Sequence, residues 1–210
     1  MDKLTIAYML CPNDRREWLE ELLHDLRAGS YPVREFAGIP GDVGAARVAA
    51  YSQIHSEYVL MVDPDDRVDL SVVQSCLQYL EENPTYAICA CHERAIHVDG
   101  SFRSMYHIGE FDFRRLTQSP LELHNCCVFR TEVLKRYIHV LGDANFYNFD
   151  WALRLVIAAN HPVKKLLKIG YHFRRKPHSH HQAQNVPATM IHPRDTVETL
   201  RQMGLIKHKG

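Results

Sequence analysis

An apolar pentapeptide that runs straight into three carboxylates constrains this chain more than any other feature. Tyr58 to Val62 (YVLMV) is continuous apolar sequence of the kind buried on both faces of a sheet, and it stops at Asp63, Asp65 and Asp66. The acids therefore stand at the carboxyl end of a strand. In an open α/β sheet that edge is where ligands bind, and carboxylates clustered there either hold a divalent cation or cap the next helix as solvated loop residues. Asp63 and Asp65 alternate, which turns both towards one ion, and Pro64 stiffens the step between them.

The flanking sequence places this strand in an alternating fold. Leu4 to Leu10 reads as a first strand, and Asp14 with Glu17 is spaced as a helix-capping box. Trp18, Leu19, Leu22, Leu23 and Leu26 then share one helical face that Gly29 can end. Val33 to Ala37 is a second strand, Ala45 to Ile54 a small-residue helix, and Leu70, Val73, Leu77 and Leu80 mark a third helix that stops at Asn83-Pro84. Three strand-helix alternations predict a parallel sheet covered on both faces.

The second half is less regular. Tyr86 to Cys91 resumes the sheet, and residues 95 to 105 read as a hairpin turning at Asp99-Gly100. A strand is expected over His124 to Arg130, a short helix over Thr131 to Tyr137, a longer one over Asn148 to Asn160, and a final strand over Val163 to Ile169. Residues 174 to 193 are rich in His, Arg, Lys, Gln and Pro and lack periodicity, which predicts a basic loop or lid. A last helix, Asp195 to Met203, carries Asp195 and Glu198 at capping positions.

Composition excludes little. The chain has 210 residues, 46% of them apolar, enough for one well-packed domain. Lys plus Arg and Asp plus Glu are both 25, so net charge selects no partner class. Six cysteines without CxxC spacing, mostly inside apolar runs and behind no secretory signal, read as reduced core thiols of a cytoplasmic protein. No apolar stretch approaches the ~20 residues of a membrane span.

Four elements in order resemble the family-2-like glycosyltransferases of the GT-A fold: GAAR (44 to 47) before the strand, DPDD (63 to 66) after it, VFRTEVL (128 to 134), and FDWALRL (149 to 155), with YHFRRKPHS (171 to 179) similar to the family's terminal stretch. The resemblance covers most of residues 1 to 181. It implies an α/β, Rossmann-like, mostly parallel sheet flanked by helices and a C-terminal basic loop or lid. Residues 1 to 105 would then bind a nucleotide-sugar, residues 106 to 181 the acceptor, and residues 182 to 210 form a terminal loop and helix.

That resemblance also assigns roles. Asp63 and Asp65 would hold Mn2+ or Mg2+, which offsets the charge of a departing diphosphate, with His178 as a third ligand for which His180 and His181 compete. Asp66 would bind the donor ribose or orient water on the metal. Asp150, matching the second acid of the family's Glu-Asp pair, would be the base of an inverting transfer, although Phe149 replaces the first acid. Arg47 would reach back towards the nucleotide, Arg174 and Arg175 with Lys176 would pair with the donor phosphates, and Tyr8, Leu10 and Pro12 would sandwich the nucleobase. A uridine nucleotide is implied, with Glu35 and Asp42 the acids available to read it. Each role has a plainer counterpart: Asp150 as a helix-terminus charge, Arg47 as a surface ion pair, and the basic loop as solvated sequence.

The acceptor is open among a saccharide, a protein, a lipid head group and a hydroxylated base in DNA. For the last, Arg114, Arg115, Arg174, Arg175 and Lys176 would meet phosphates and a flipped base would face Asp150. Two other classes compete. A nucleotidyltransferase would need a Gly-rich loop after the first strand, where this chain has LCPNDRR. A noncatalytic module would keep the sheet and use the acids only to bind metal or nucleotide.

Overall fold

Strand and helix alternate through the first half of the chain as their hydrophobic periods require. The structure is a computed structural model and describes residues 2–105, 109–176 and 190–207. It runs β1 (Leu4–Leu10), α1 (Arg16–Leu26), β2 (Val33–Ala37), α2 (Val43–Ser52), β3 (Tyr58–Val62), β4 (Arg67–Val68) and α3 (Leu70–Glu82). Then follow β5 (Ile88–Ile96), β6 (Phe102–Met105), α4 (Phe113–Gln118), a 3-10 turn (Pro120–Glu122), β7 (Cys127–Arg130), α5 (Thr131–Asp143), α6 (Phe149–Asn160), β8 (Val163–Arg174) and α7 (Pro193–Gln202).

The strands form one sheet in the order β2-β1-β3-β7-β5-β8-β4, with β6 pairing the last residues of β5, beyond those paired with β7. β1, β2, β3, β5 and β8 run one way, and β7, β4 and β6 run against them. The sheet is thus α/β and mostly parallel, with β7 inserted antiparallel at its centre. That insertion joins two parallel groups, one carrying the acids and the other ending in Tyr171 and Arg174.

β3 is buried at every residue, and its side chains divide between two cores. Tyr58, Leu60 and Val62 pack with Leu22 and Leu26 of α1 and Val73 and Leu80 of α3. Val59 and Met61 pack with Ala50 and Tyr51 of α2, Ile138 of α5 and Leu153 of α6. Helices on both faces explain why this strand has no polar alternation. Five of the six cysteines are buried and all six are free thiols.

Several boundaries differ from the sequence reading for identifiable reasons. α1 is preceded by Arg15 without a side-chain cap, because the Asp14 carboxylate turns back to accept from the Cys11 amide at 2.7 Å. α7 begins at Pro193 rather than Asp195, a proline preset for the first helical turn. α5 runs on to Asp143, its buried face extending to Leu141. β8 continues past Ile169 to Arg174 because β4 and the outer half of β5 supply partners for those residues. Arg130, in the VFRTEVL segment, locks β7 to the α3 end: Nε donates to Tyr86 O at 2.8 Å, Nη1 to the Tyr58 hydroxyl at 2.9 Å, and Nη2 to Leu80 O.

Gly170 lies where β8 passes closest to α3. A Cβ there would sit 2.6 Å from Val72 Cγ1 and 2.8 Å from Cys91 Sγ. Gly170→Ala should therefore lower the unfolding free energy by about 1–3 kcal/mol through overpacking. The check is a lower urea midpoint with an unchanged m-value, and a wild-type midpoint would mean that this approach is not tight.

Candidate active site

The acid loop is held from three directions. At the end of β3 the Asp63 carbonyl accepts from the Asp66 amide at 3.1 Å, which closes a turn over Pro64 and Asp65. Tyr171 of β8 comes from beside the loop, and its hydroxyl accepts from the Asp63 amide at 3.1 Å. Asn125, just ahead of β7, comes from the third side: Nδ2 donates to Asp63 Oδ2 at 2.9 Å and to Asp66 Oδ2 at 3.4 Å. α3 is capped by Asp69, which accepts from the Ser71 amide, so none of the three acids is spent as its cap.

Arg47 joins this loop to α6. Its buried guanidinium donates from Nη2 to Asp63 Oδ1 at 3.0 Å and from Nε to Asp150 Oδ2 at 3.2 Å. Asp63 and Asp150 are far apart in sequence, yet one planar group spans them. The first turn of α2 packs against the start of α6, where a Cβ at Gly44 would make an ordinary contact with the Phe149 ring at 3.4 Å. Asp42 caps α2 by accepting from the Ala45 amide at 2.9 Å, and Arg47 follows one turn later.

The three acids occupy different electrostatic environments. Burial pushes the Asp63 carboxyl up, but Arg47, His124 and Arg154 together bring it below the usual carboxylate range. Burial and the neighbouring Asp63 charge push Asp65 up, against the opposing effect of Lys176, whose Nζ lies 2.5 Å from Asp65 Oδ2. Asp66 is 1% exposed, and burial with the charges of Asp65 and Asp63 drives it well above that range. Its oxygens face inward: Oδ1 accepts from the Arg174 amide at 2.7 Å.

The other residues singled out in the sequence divide accordingly. Tyr8 is buried, and its hydroxyl donates to Glu35 Oε2 at 2.7 Å, so burial and then Glu35 push its pKa up to about 12. Leu10 is half-buried and Pro12 exposed, both at the same sheet edge as Asp63. Arg174 is 1% exposed and donates to Asp65 O, Val98 O and Glu21 Oε2 at 2.8, 2.8 and 2.7 Å. Its side chain braces the acid loop against α1, with the Trp18 ring 5.2 Å away, instead of facing a donor. Arg175 is exposed. His178, with His180 and His181, lies outside the described residues.

Three contributors to the site were not assigned their observed roles by the sequence. Asn125 precedes a short strand whose antiparallel insertion beside β3 does not follow from periodicity. Tyr171 opened the stretch similar to the family's terminal element but was given no role, and Lys176 was counted with the phosphate-facing cations although it pairs with Asp65. Among the described residues no group of three or more His, Cys, Asp or Glu side chains is arranged to hold a metal ion. Mn2+ and Mg2+ can also be bound by one or two carboxylates, with substrate phosphates and water completing the shell. Asp63 and Asp65 fit that requirement because their side chains reach the surface, 33% and 14% exposed, although Asp63 also accepts from Arg47 and Asn125; Asp66, 1% exposed and bonded to the Arg174 amide, does not.

Known structures share this architecture. The S. aureus TarS 1-349 structure in complex with UDP-GlcNAc superposes with a TM-score of 0.66 at 17% identity, covering 97% of this chain and 66% of that one. The same fragment with UDP gives 0.63 at 17% identity, over 83% of this chain and 61% of that one. A longer TarS structure gives 0.61, and this chain spans 37% of its length. No curated protein matches the sequence. The family profile described as glycosyl transferase family 2 matches residues 16–138, more than half the chain and the whole run from α1 through the acid loop into α5. The chain belongs to glycosyl transferase family 2.

Proposed function

We propose that this protein moves a sugar from a nucleoside-diphosphate sugar, with uridine as the base, to an acceptor hydroxyl. The observation that carries the reading is the single buried guanidinium of Arg47 between Asp63 and Asp150, which ties a donor-side acid to an acid suited to proton removal. Family membership supports the donor class. The fold neighbour's structures with UDP and UDP-GlcNAc support uridine.

In this reading Asp63 and Asp65 hold Mn2+ or Mg2+, which supplies positive charge against the leaving diphosphate. Lys176 is the counter-ion of Asp65, and a cation held by Asp63 and Asp65 would supply that charge instead. Asp150 takes the proton of the acceptor hydroxyl as its oxygen attacks the anomeric carbon, and attack from the face opposite the diphosphate inverts the configuration. Arg47 fixes the Asp150 carboxylate for that task. Its Nη1 is buried and has no hydrogen-bond partner among the described residues.

The acceptor is a hydroxyl on a molecule other than the donor. A hydroxylated base in DNA is the less favoured acceptor, since Arg174 is buried and Arg115 is committed to Glu122 and the Glu110 carbonyl. Arg114 and Arg175 remain exposed for such a contact. No described helix is long and apolar enough to cross a membrane.

Calorimetric titration with UDP should show binding that strengthens when Mn2+ is added. Asp65→Ala should remove that gain and abolish both donor hydrolysis and transfer while leaving the melting temperature near that of the wild type. Intact turnover in this variant would reject the reading, and the absence of nucleotide release with every activated sugar tried would favour a noncatalytic binding module.

Asp150→Asn should keep UDP affinity and lose transfer by about 10²–10⁴-fold, the range expected for a missing general base. Equal loss of binding and transfer would place Asp150 in donor binding instead.

The Asp66 carboxyl has a folded-state pKa above its unfolded value of about 3.9. Its stabilising contribution is therefore complete below about pH 3.9 and is lost as pH rises through the folded value. In metal-free buffer Asp66→Asn should be more resistant to urea than the wild type at neutral pH, with the difference shrinking as pH falls towards about 4. A variant less stable than the wild type at pH 7 would show that this carboxylate is not under charge strain.

A further inference from the structure

Behind the acid loop is a cleft of about 980 Å³, bounded by α1, α3 and the ends of β4, β5 and β8. It does not share its wall with the catalytic acids. Successive residues of β8 face opposite ways: Tyr171 reaches the Asp63 amide, whereas His172 takes a hydrogen bond from Arg94 Nε at 2.7 Å and lines the cleft.

The charges lining this cleft are unequally satisfied. Asp25 accepts two bonds from Arg67, at 2.9 and 2.6 Å, and Asp69 is used at the start of α3. The acids are thus already paired. Arg94 spends only Nε, on His172, and no described residue takes its two terminal nitrogens. Those nitrogens form a planar fork that matches two oxygens of one oxyanion. Because His172 accepts at Nδ1, a neutral ring carries its proton on Nε2 and offers a further donor. Partial burial, then the charges of Arg94 and Arg67, lower the His172 pKa against the opposing effect of Asp25 and Asp69, which keeps the ring in that neutral form.

The cleft is also much larger than a phosphate ion and lies at the upper end of the range for small-molecule sites. Beyond the Arg94 fork it is lined by groups that suit hydroxyls, among them Gln74 and Ser30, and by the ring of Tyr31. We propose that this cleft is a second ligand site, in which the Arg94 fork and His172 take the phosphate of a phosphorylated saccharide and the polar lining takes its hydroxyls. The site is separate from the sugar-transfer reading and does not rest on it.

Calorimetry on the full chain, run both without nucleotide and with excess UDP, tests the assignment, using a hexose phosphate, inorganic phosphate and the neutral hexose as probes. The hexose phosphate should bind saturably, inorganic phosphate roughly tenfold more weakly, and the hexose not measurably, since charge-assisted bonds to the fork dominate. Arg94→Gln should weaken the hexose phosphate by roughly 10- to 100-fold, the equivalent of one charged hydrogen-bonding group, with UDP affinity unchanged. Gln74→Trp, at an exposed position of α3, should block the cleft without threatening the fold. The proposal is overturned if the hexose phosphate gives no saturable heat or is displaced by UDP. It is equally overturned if it binds no better than the free hexose, or if a folded Gln74→Trp or Arg94→Gln variant binds it as the wild type does.

Discussion

The site depends on a charge that the fold could not bury alone. Burial works against the Arg47 cation, and the carboxylates of Asp150 and Asp63 more than offset that cost. The reverse also holds, because Asp63 is held below the usual range largely by the same guanidinium. Neither partner is stable in its place without the other, so α2, the end of β3 and the start of α6 must come together as one unit. An interaction of this kind sets geometry more than it adds stability, since a buried ion pair seldom outweighs well-packed apolar residues. Its retention at a sheet edge suits positioning.

Much of this was legible in the sequence, and the limits follow from which interactions are local. The apolar run of β3, the acids after it and the small-residue helix before it announced themselves through periodicity and composition, and their boundaries match closely. Asp150 was legible as an acid in the first turn of a helix. What periodicity does not carry is which strand lies beside which. β7 pairs with both β3 and β5 across long sequence separations, and only that antiparallel insertion delivers Asn125 to Asp63. Arg47 was expected to reach a nucleotide because the family resemblance implies it, whereas the fold holds its guanidinium between two acids, closer to the ion-pair role that its position on a helix suggested. Arg174 shows the opposite limit: a basic residue in a polar stretch looks solvated until β8 is seen to extend through it.

The acid loop is the hinge between two differently lined spaces. On one side are Asp63, Asp65 and Asp150. On the other, starting with the very next residue after Asp66, Arg67 enters β4 and faces the second cleft. Arg174 supports the loop from beneath by binding the Asp65 carbonyl and the Asp66 side chain through its main chain, while α1 contributes Glu21 and the Trp18 ring. A change in the loop therefore has a short physical route to α1 and β4, through side chains in direct contact.

Three acids within four residues take three environments, and that division follows from where the chain can supply cations. Asp63 meets a buried guanidinium and an amide. Asp65 meets only the flexible side chain of Lys176, an ammonium that a four-carbon stem can withdraw at little cost in packing. Asp66 meets main-chain and hydroxyl donors and carries the largest penalty as an anion. Of the three, Asp65 is thus the carboxylate whose partner is easiest to exchange, and Asp63 the one whose position is most firmly set. A fixed acid beside an exchangeable one suits a site that must accept and release a charged group, because the fixed acid preserves the geometry while the exchangeable one changes partner.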